Sequence, residues 1–197
     1  MLNDAVLLGA LFIATMSFTP GPANLSLLSV GASIGLARAF PYLVGVWVGG
    51  LFVILAGAAG LGALFLALPE AFLGLKFLGF AYICWLAWKL ARAGFATGVH
   101  AVAPSFWLGV GLHPVNPKAY VQCGMVFSVF VSPDIPYLPQ AAILALLSLV
   151  LMMMATTLWG FGGDAIRLFV RDPRVMRFVA VAASCLMVAS VGVALIL

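Results

Sequence analysis

Two apolar runs in this chain are each cut near the middle by a pair of prolines, at Thr19-Pro-Gly-Pro22 and at His113-Pro-Val-Asn-Pro117. Each proline removes a backbone donor and clashes with the preceding turn, so neither run can continue as one regular helix. Both runs are also long and apolar enough to need a bilayer around them. Irregular backbone at membrane depth is tolerated only against other protein or beside a cavity. The breaks must therefore face inward, and whatever the chain folds into is organised around them.

Composition requires the bilayer. Of 197 residues, 65% are hydrophobic and 7% are charged, with a mean hydropathy of +1.25. A soluble domain carries about 25% charged residues. The length holds several spans of roughly 20 residues and leaves no room for a soluble catalytic domain. The net charge of +4 does not form a patch for nucleic acid, because the basic residues stand at the ends of apolar runs. Cys84, Cys123 and Cys185 are isolated, with no CxxC pair, and read as small packing residues rather than as disulfide or zinc chemistry. Residues Ala5–Phe18 resemble a signal segment, but Asp4 replaces the expected basic region and the sequence continues apolar. They read as a retained first span.

The expected fold is all-α and polytopic, a single transmembrane domain of six helices over residues 1–197. The spans run from about Leu2 to Leu36, Phe40 to Leu68, Ala71 to Arg92, Pro104 to Ser132, Tyr137 to Phe169 and Val175 to Leu197, with the first and fourth broken. Gly94–Ala103 reads as a short polar loop and Ser132–Pro136 as a turn. One side collects Arg38, Lys89, Arg92, Arg167, Arg171, Arg174 and Arg177, and the other collects Asp4, Glu70 and Asp134, with Lys76 just inside the third span. The basic side is expected to be cytoplasmic and both termini outside. Halves of about 1–97 and 98–197 each contain three spans, so the second enters the membrane inverted. Interruptions at matching places in two inverted halves point to a transport site at the midplane; packing kinks are the alternative.

The breaks supply Thr19, Pro20, Gly21, Pro22 and Asn24 from one half and Asn116, Pro117, Lys118 and Gln122 from the other, with His113 beside them. Lys118 lies about 14 residues from either end of its run. That is about 20 Å of helix, beyond the reach of a lysine stem to the interface. The set has donors, acceptors and one fixed cation but no carboxylate, so a ligand should bring its own. A small zwitterion such as an amino acid fits, its ammonium meeting carbonyls that the prolines release. Asn24 and Asn116 serve equally well as interhelical hydrogen-bonding residues, and His113 as a carbonyl cap. Met152–Met154 and Trp47, Trp85, Trp88, Trp107 and Trp159 read as lipid packing and interfacial belts, and Gly45 with Gly49 as a close-contact pair.

Thr19-Pro-Gly-Pro-x-Asn24, Leu75-Lys76 with Gly79-x-x-Tyr82, Leu86-x-Trp88-Lys89 and Asn116-Pro-Lys-Ala119 occur in that order. This sequence resembles the LysE/RhtB amino-acid exporter family across nearly its whole length. The resemblance implies a six-helix bacterial inner-membrane protein that exports lysine-, threonine-, homoserine- or leucine-like substrates with the proton motive force. Three departures stand out. Gly50 follows Gly49 where the family often has an acid, which argues against a basic substrate and an acid-based proton site; Ala23 precedes Asn24 where the family has a second asparagine; and His113-Pro114 replaces an apolar stretch.

The expectation is a non-enzymatic, cofactor-free secondary transporter of a small, neutral amino acid. Protons would couple through His113 or Lys118, and the partners are the substrate, protons and membrane lipid. A heavy-metal or cation exporter and a non-transporting scaffold are the alternatives. The glycine-rich second span could pack within the protomer or between two copies, and a homodimer is expected.

Overall fold

The computed structural model describes residues 2–60, 68–93, 104–170 and 172–196. Among them are eight α-helices and no strand: α1 (Leu2–Phe18), α2 (Pro22–Ile34), α3 (Leu36–Ala58), α4 (Pro69–Ala93), α5 (Phe106–Leu112), α6 (Pro117–Val129), α7 (Tyr137–Phe169) and α8 (Pro173–Ile196). Four helices carry segments long and apolar enough to cross a membrane by themselves, within α3, α4, α7 and α8. The bent pair α1–α2, kinked by 45°, makes a fifth. Chain order makes α5 with α6 the counterpart of the fourth expected span, but neither is long enough to cross alone. The Gly94–Ala103 loop lies outside the described residues.

Both breaks fall where the prolines put them. α1 stops at Phe18, and α2 restarts at Pro22; α5 stops at Leu112, and α6 restarts at Pro117. Proline suits the first helical position, where an amide would lack an intrahelical partner anyway. One boundary moves. The expected gap around Arg38 is closed, because Gly35 alone joins α2 to α3 with φ +83°. That left-handed conformation is available to glycine at little cost, and Arg38 consequently lies in the first turn of α3. At the Ser132–Pro136 turn, the buried Gln140 accepts from the Ser132 amide (2.8 Å) and donates to the Ile135 carbonyl (2.9 Å).

Helix α2 lies along α7 and α8, α3 along α5 and α7, α4 along α8, and α1 along α7. Two apolar cores result. One joins Leu27, Tyr42, Val46, Leu86 and Met187; the other joins Ile13, Val53, Val126, Leu144 and Met152. Outward-facing Leu8, Phe52, Phe77, Leu146, Phe161 and Phe178 are all more than half exposed. Water would penalise such a surface and hydrocarbon does not. With these spans, the chain is a multi-pass membrane protein.

Backbones approach closely where side chains vanish. Gly45 and Gly49 press against the Phe106 and Val110 carbonyls of α5 in the same chain, so the expected close contact is intramolecular. Gly31 presses against the Gly160 carbonyl, and Gly163 against that of Leu28, bringing α2 onto α7. Gly31→Ala should therefore lower the thermal midpoint in detergent by the roughly 1–3 kcal/mol typical of overpacking. Gly74→Ala, whose new methyl meets nothing within 4 Å, should leave the midpoint unchanged or slightly raised.

Candidate functional site

The carbonyl arithmetic of the first break is fixed by its prolines. An α-helical carbonyl accepts from the amide four residues on, so Pro20 orphans Met16 and Pro22 orphans Phe18. The structure places a side chain on each. Thr19 Oγ1 donates to the Met16 carbonyl at 2.9 Å, and Trp159 Nε1 on α7 donates to that of Phe18 at 3.2 Å. Asn24 Nδ2 donates to the carbonyls of Ser17 (2.7 Å) and Thr19 (2.9 Å), stitching the start of α2 to the end of α1. At the first break, the carbonyls expected to await a ligand's ammonium are thus already engaged. Trp159 is an internal pin rather than a belt residue. So is Trp47, whose indole donates to Thr156 Oγ1 at 3.1 Å; Trp85, Trp88 and Trp107 remain exposed.

The second break presents Lys118. Asn116 caps α6, its Oδ1 accepting from the Lys118 amide at 3.1 Å. A lysine in the first turn opposes its own helix dipole. Its ammonium instead crosses to the carbonyl end of α1, donating to Thr19 Oγ1 at 2.8 Å and to the Thr19 carbonyl at 3.4 Å. Gly21 makes room for the crossing, since a Cβ there would stand 3.2 Å from Nζ. Gln122, one turn on, reaches Ser17 Oγ at 3.5 Å. Thr19, Asn24, Asn116, Lys118 and Gln122 are therefore gathered at one place, with Pro20, Gly21, Pro22 and Pro117 shaping the backbone around them.

Two cavities flank this bridge. The inner one, about 60 Å³, lies among α1–α2, α3, α6 and α7 and is lined in part by Asn24, Gly50, His113, Lys118, Gln122 and Met152. The outer one, about 510 Å³, opens towards α4 and α8. Among the described residues, no carboxylate lines either cavity. Gly50 does not widen the inner cavity, because Met152 Sδ occupies the place where its Cβ would be and the His113 ring lies beside it. Met152 is 7% exposed, so it is an internal residue, unlike the half-exposed Met154. His113 caps no carbonyl through Nε2, which is buried without a hydrogen-bond partner. Lys76, on α4, lines the outer cavity and was not among the expected site residues. Its signal in the sequence is an ammonium seven residues beyond Pro69, inside the third apolar run.

Asn24→Ala would strand the Ser17 carbonyl and leave that of Thr19 only its longer contact with Lys118. It should cost about 1–3 kcal/mol in a detergent melt, whereas Gln122→Ala, which loses one long contact, should cost well under half of that.

Comparison with known proteins completes the site's context. The LysE type translocator family profile matches residues 14–197. A cysteine/O-acetylserine efflux protein of Klebsiella pneumoniae is 39% identical over 118 residues, 59% of this chain and 60% of that protein, so that match spans less than two thirds of the relative's length. One of the same name from Escherichia coli K12 is 32% identical over 160 residues, covering 80% of this chain and 82% of the relative. A homoserine/homoserine lactone efflux protein of Salmonella typhimurium is 28% identical over 169 residues, 82% of each chain. No solved structure matches. With a family match running from the first span to the last residue, the chain belongs to the LysE type translocators.

Proposed function

We propose that the protein is a secondary transporter that exports a small, neutral amino acid across the bacterial inner membrane. One observation carries this reading: among the described residues, the Lys118 ammonium is held between two helix breaks by the neutral Thr19, beside two cavities whose described lining has no carboxylate. Among the described residues no ion pair forms at Lys118. A zwitterion's carboxylate is a stronger partner for an ammonium than a hydroxyl is, so the substrate displaces Thr19. The relatives' names, cysteine/O-acetylserine and homoserine efflux proteins, support a small polar amino acid. Gly50, where the family often has an acid, supports a neutral one.

Alternating access would come from two inverted three-helix halves rocking about the breaks. The contacts support such a repeat. Exchanging α1–α2 with α5–α6, α3 with α7 and α4 with α8 turns the contact of α2 with α7 into that of α6 with α3, and the contact of α3 with α5 into that of α7 with α1; all four occur. The pairs α3–α7 and α4–α8 map onto themselves. Both second half-helices also begin with proline at the first position. The basic residues Arg38, Lys89, Arg167, Arg174 and Arg177 support a cytoplasmic place for that side, with the termini outside. Protons couple through His113 or Lys118, the ionisable groups that line the inner cavity apart from the Cys123 thiol. A homodimer would have to use a face other than Gly45 and Gly49, which α5 covers.

Proteoliposomes loaded with labelled homoserine, cysteine, leucine and lysine, under an imposed proton gradient, test this. Homoserine or cysteine should move and lysine should not. Lys118→Ala should slow transport by about 10- to 100-fold, the worth of a charge-assisted hydrogen bond. A folded protein that moves no amino acid would overturn the reading in favour of a non-transporting role. In the same vesicles, His113→Ala should abolish acceleration by the proton gradient while leaving downhill exchange. If His113→Ala and Lys118→Ala both remain fully proton-dependent, the coupling assignment is wrong.

A further inference from the structure

Helix α5 ends at Leu112 with His113 as its C-cap, and the chain turns there before α6 begins. Pro117 removes the amide that a continuous helix would bring to the His113 carbonyl, and the Asn116 amide takes its place at 3.0 Å. The Tyr120 hydroxyl, on α6, donates to the Pro114 carbonyl at 2.9 Å. The turn is thus held at both prolines, and the imidazole stands on a fixed base. Its Cδ2 lies 3.2 Å from the place of a Gly50 Cβ, which Met152 Sδ fills from α7. Cδ2 is bonded to Nε2, so that edge of the ring faces α3. One corner of the inner cavity is therefore built by His113, Gly50 and Met152, while a different glycine, Gly21, makes room for the Lys118 ammonium.

The imidazole brings an unmet hydrogen bond to this corner. Of the three buried side-chain polar atoms without a partner among the described residues, His113 Nε2 is the one whose residue lines the inner cavity. Such an atom carries the full desolvation penalty of its group, and native structures seldom leave one without a use. Two polar neighbours in the lining are already engaged: Asn116 Oδ1 accepts from the Lys118 amide, and the Thr156 hydroxyl donates to the Met152 carbonyl at 2.8 Å. Around the ring the corner is apolar. Val53 and Ile54 follow Gly50 by one turn of α3, and Met152 offers a thioether. A group that fits here is short and uncharged, an apolar stem with one hydrogen-bonding end. In a neutral imidazole Nε2 is a donor in one tautomer and an acceptor in the other, and a hydroxyl matches either. An ammonium would find no carboxylate among the described lining residues, and a methyl would leave Nε2 unpaired.

We propose that His113 reads the substrate's side chain: Nε2 hydrogen-bonds a terminal hydroxyl, while Met152, seated against Gly50, limits the length of the stem that carries it. The protein then selects short hydroxylated amino acids over apolar ones of the same size. The assignment deepens the export reading above and rests on it for the carboxylate at Lys118 and for transport itself. The contact at Nε2 does not depend on whether His113 also carries protons. His113 is on this assignment a specificity-determining binding residue.

The test compares L-homoserine with L-norvaline, which match in non-hydrogen atoms and differ by a hydroxyl in place of a methyl. Binding is titrated calorimetrically on the purified full-length chain in detergent. Exchange is measured in proteoliposomes without a proton gradient, so that coupling does not enter. Wild type should bind and exchange homoserine about 10- to 100-fold better than norvaline, the effect of leaving one buried polar atom unpaired. His113→Leu should bring that ratio close to one. His113→Gln, whose amide offers both a donor and an acceptor, should keep much of it. Met152→Ala should improve L-norleucine, one methylene longer, relative to norvaline; no gain there overturns the part assigned to Met152. A wild-type ratio retained in His113→Leu overturns the proposal and leaves the export reading standing, as does a wild type that treats homoserine and norvaline alike. Equal losses of both amino acids in His113→Leu and His113→Gln, with the ratio unchanged, overturn it in favour of packing or proton movement. A His113-dependent preference in binding, by a protein that exchanges no amino acid, upholds the side-chain contact and removes export. If wild type neither binds nor exchanges any of the three, both fall.

Discussion

The hydrogen bond from Lys118 to Thr19 is the interaction on which the architecture depends, because it ties the carbonyl end of one half-helix to the amide end of another. Neither group is satisfied by its own helix. The Thr19 segment has lost intrahelical bonds to proline, and a lysine in the first turn of α6 sits against the wrong end of a dipole. Each defect answers the other. Among the described residues no carboxylate pairs with Lys118, and the proposed role of the site follows from that.

The rest of the fold holds these ends in place. Glycine stripes let α3 meet α5 and α2 meet α7 at backbone distance, so the broken segments are clamped by long continuous helices. Buried donors then fix rotation: Tyr42 donates to Ser26 Oγ at 3.0 Å, and Trp47 and Trp159 anchor α3 and α1 to α7. In hydrocarbon, apolar contact with a neighbour and with lipid are nearly equivalent. Close packing and directional bonds are therefore what make the arrangement unique. They also leave two recesses that share Lys118 in their linings.

The breaks, their prolines and the residues around them were legible in the sequence, since proline's missing amide is a local fact. So was the membrane setting, which follows from hydropathy alone. Less legible were contacts between residues far apart in sequence. Trp159 belongs to an apolar run 141 residues from Phe18, and nothing local distinguishes an indole that faces lipid from one that reaches an orphan carbonyl. Met152 and Met154 illustrate the same limit, two residues apart on one helix with one buried and one exposed. The turn at Gly35 was missed because Arg38 resembles a loop charge, although a positive-φ glycine needs no loop.

By itself, the sequence determined that this is an all-helical membrane protein with two interrupted helices and a stranded lysine, because those properties follow from composition and from proline's covalent structure. Only the tertiary structure decided which carbonyls the prolines freed remain available, that Met152 rather than open space fills the position facing Gly50, and that Lys76 shares a recess with Lys118. These depend on the rotation and register of helices distant in sequence. Packing geometry sets them, and no local pattern encodes it.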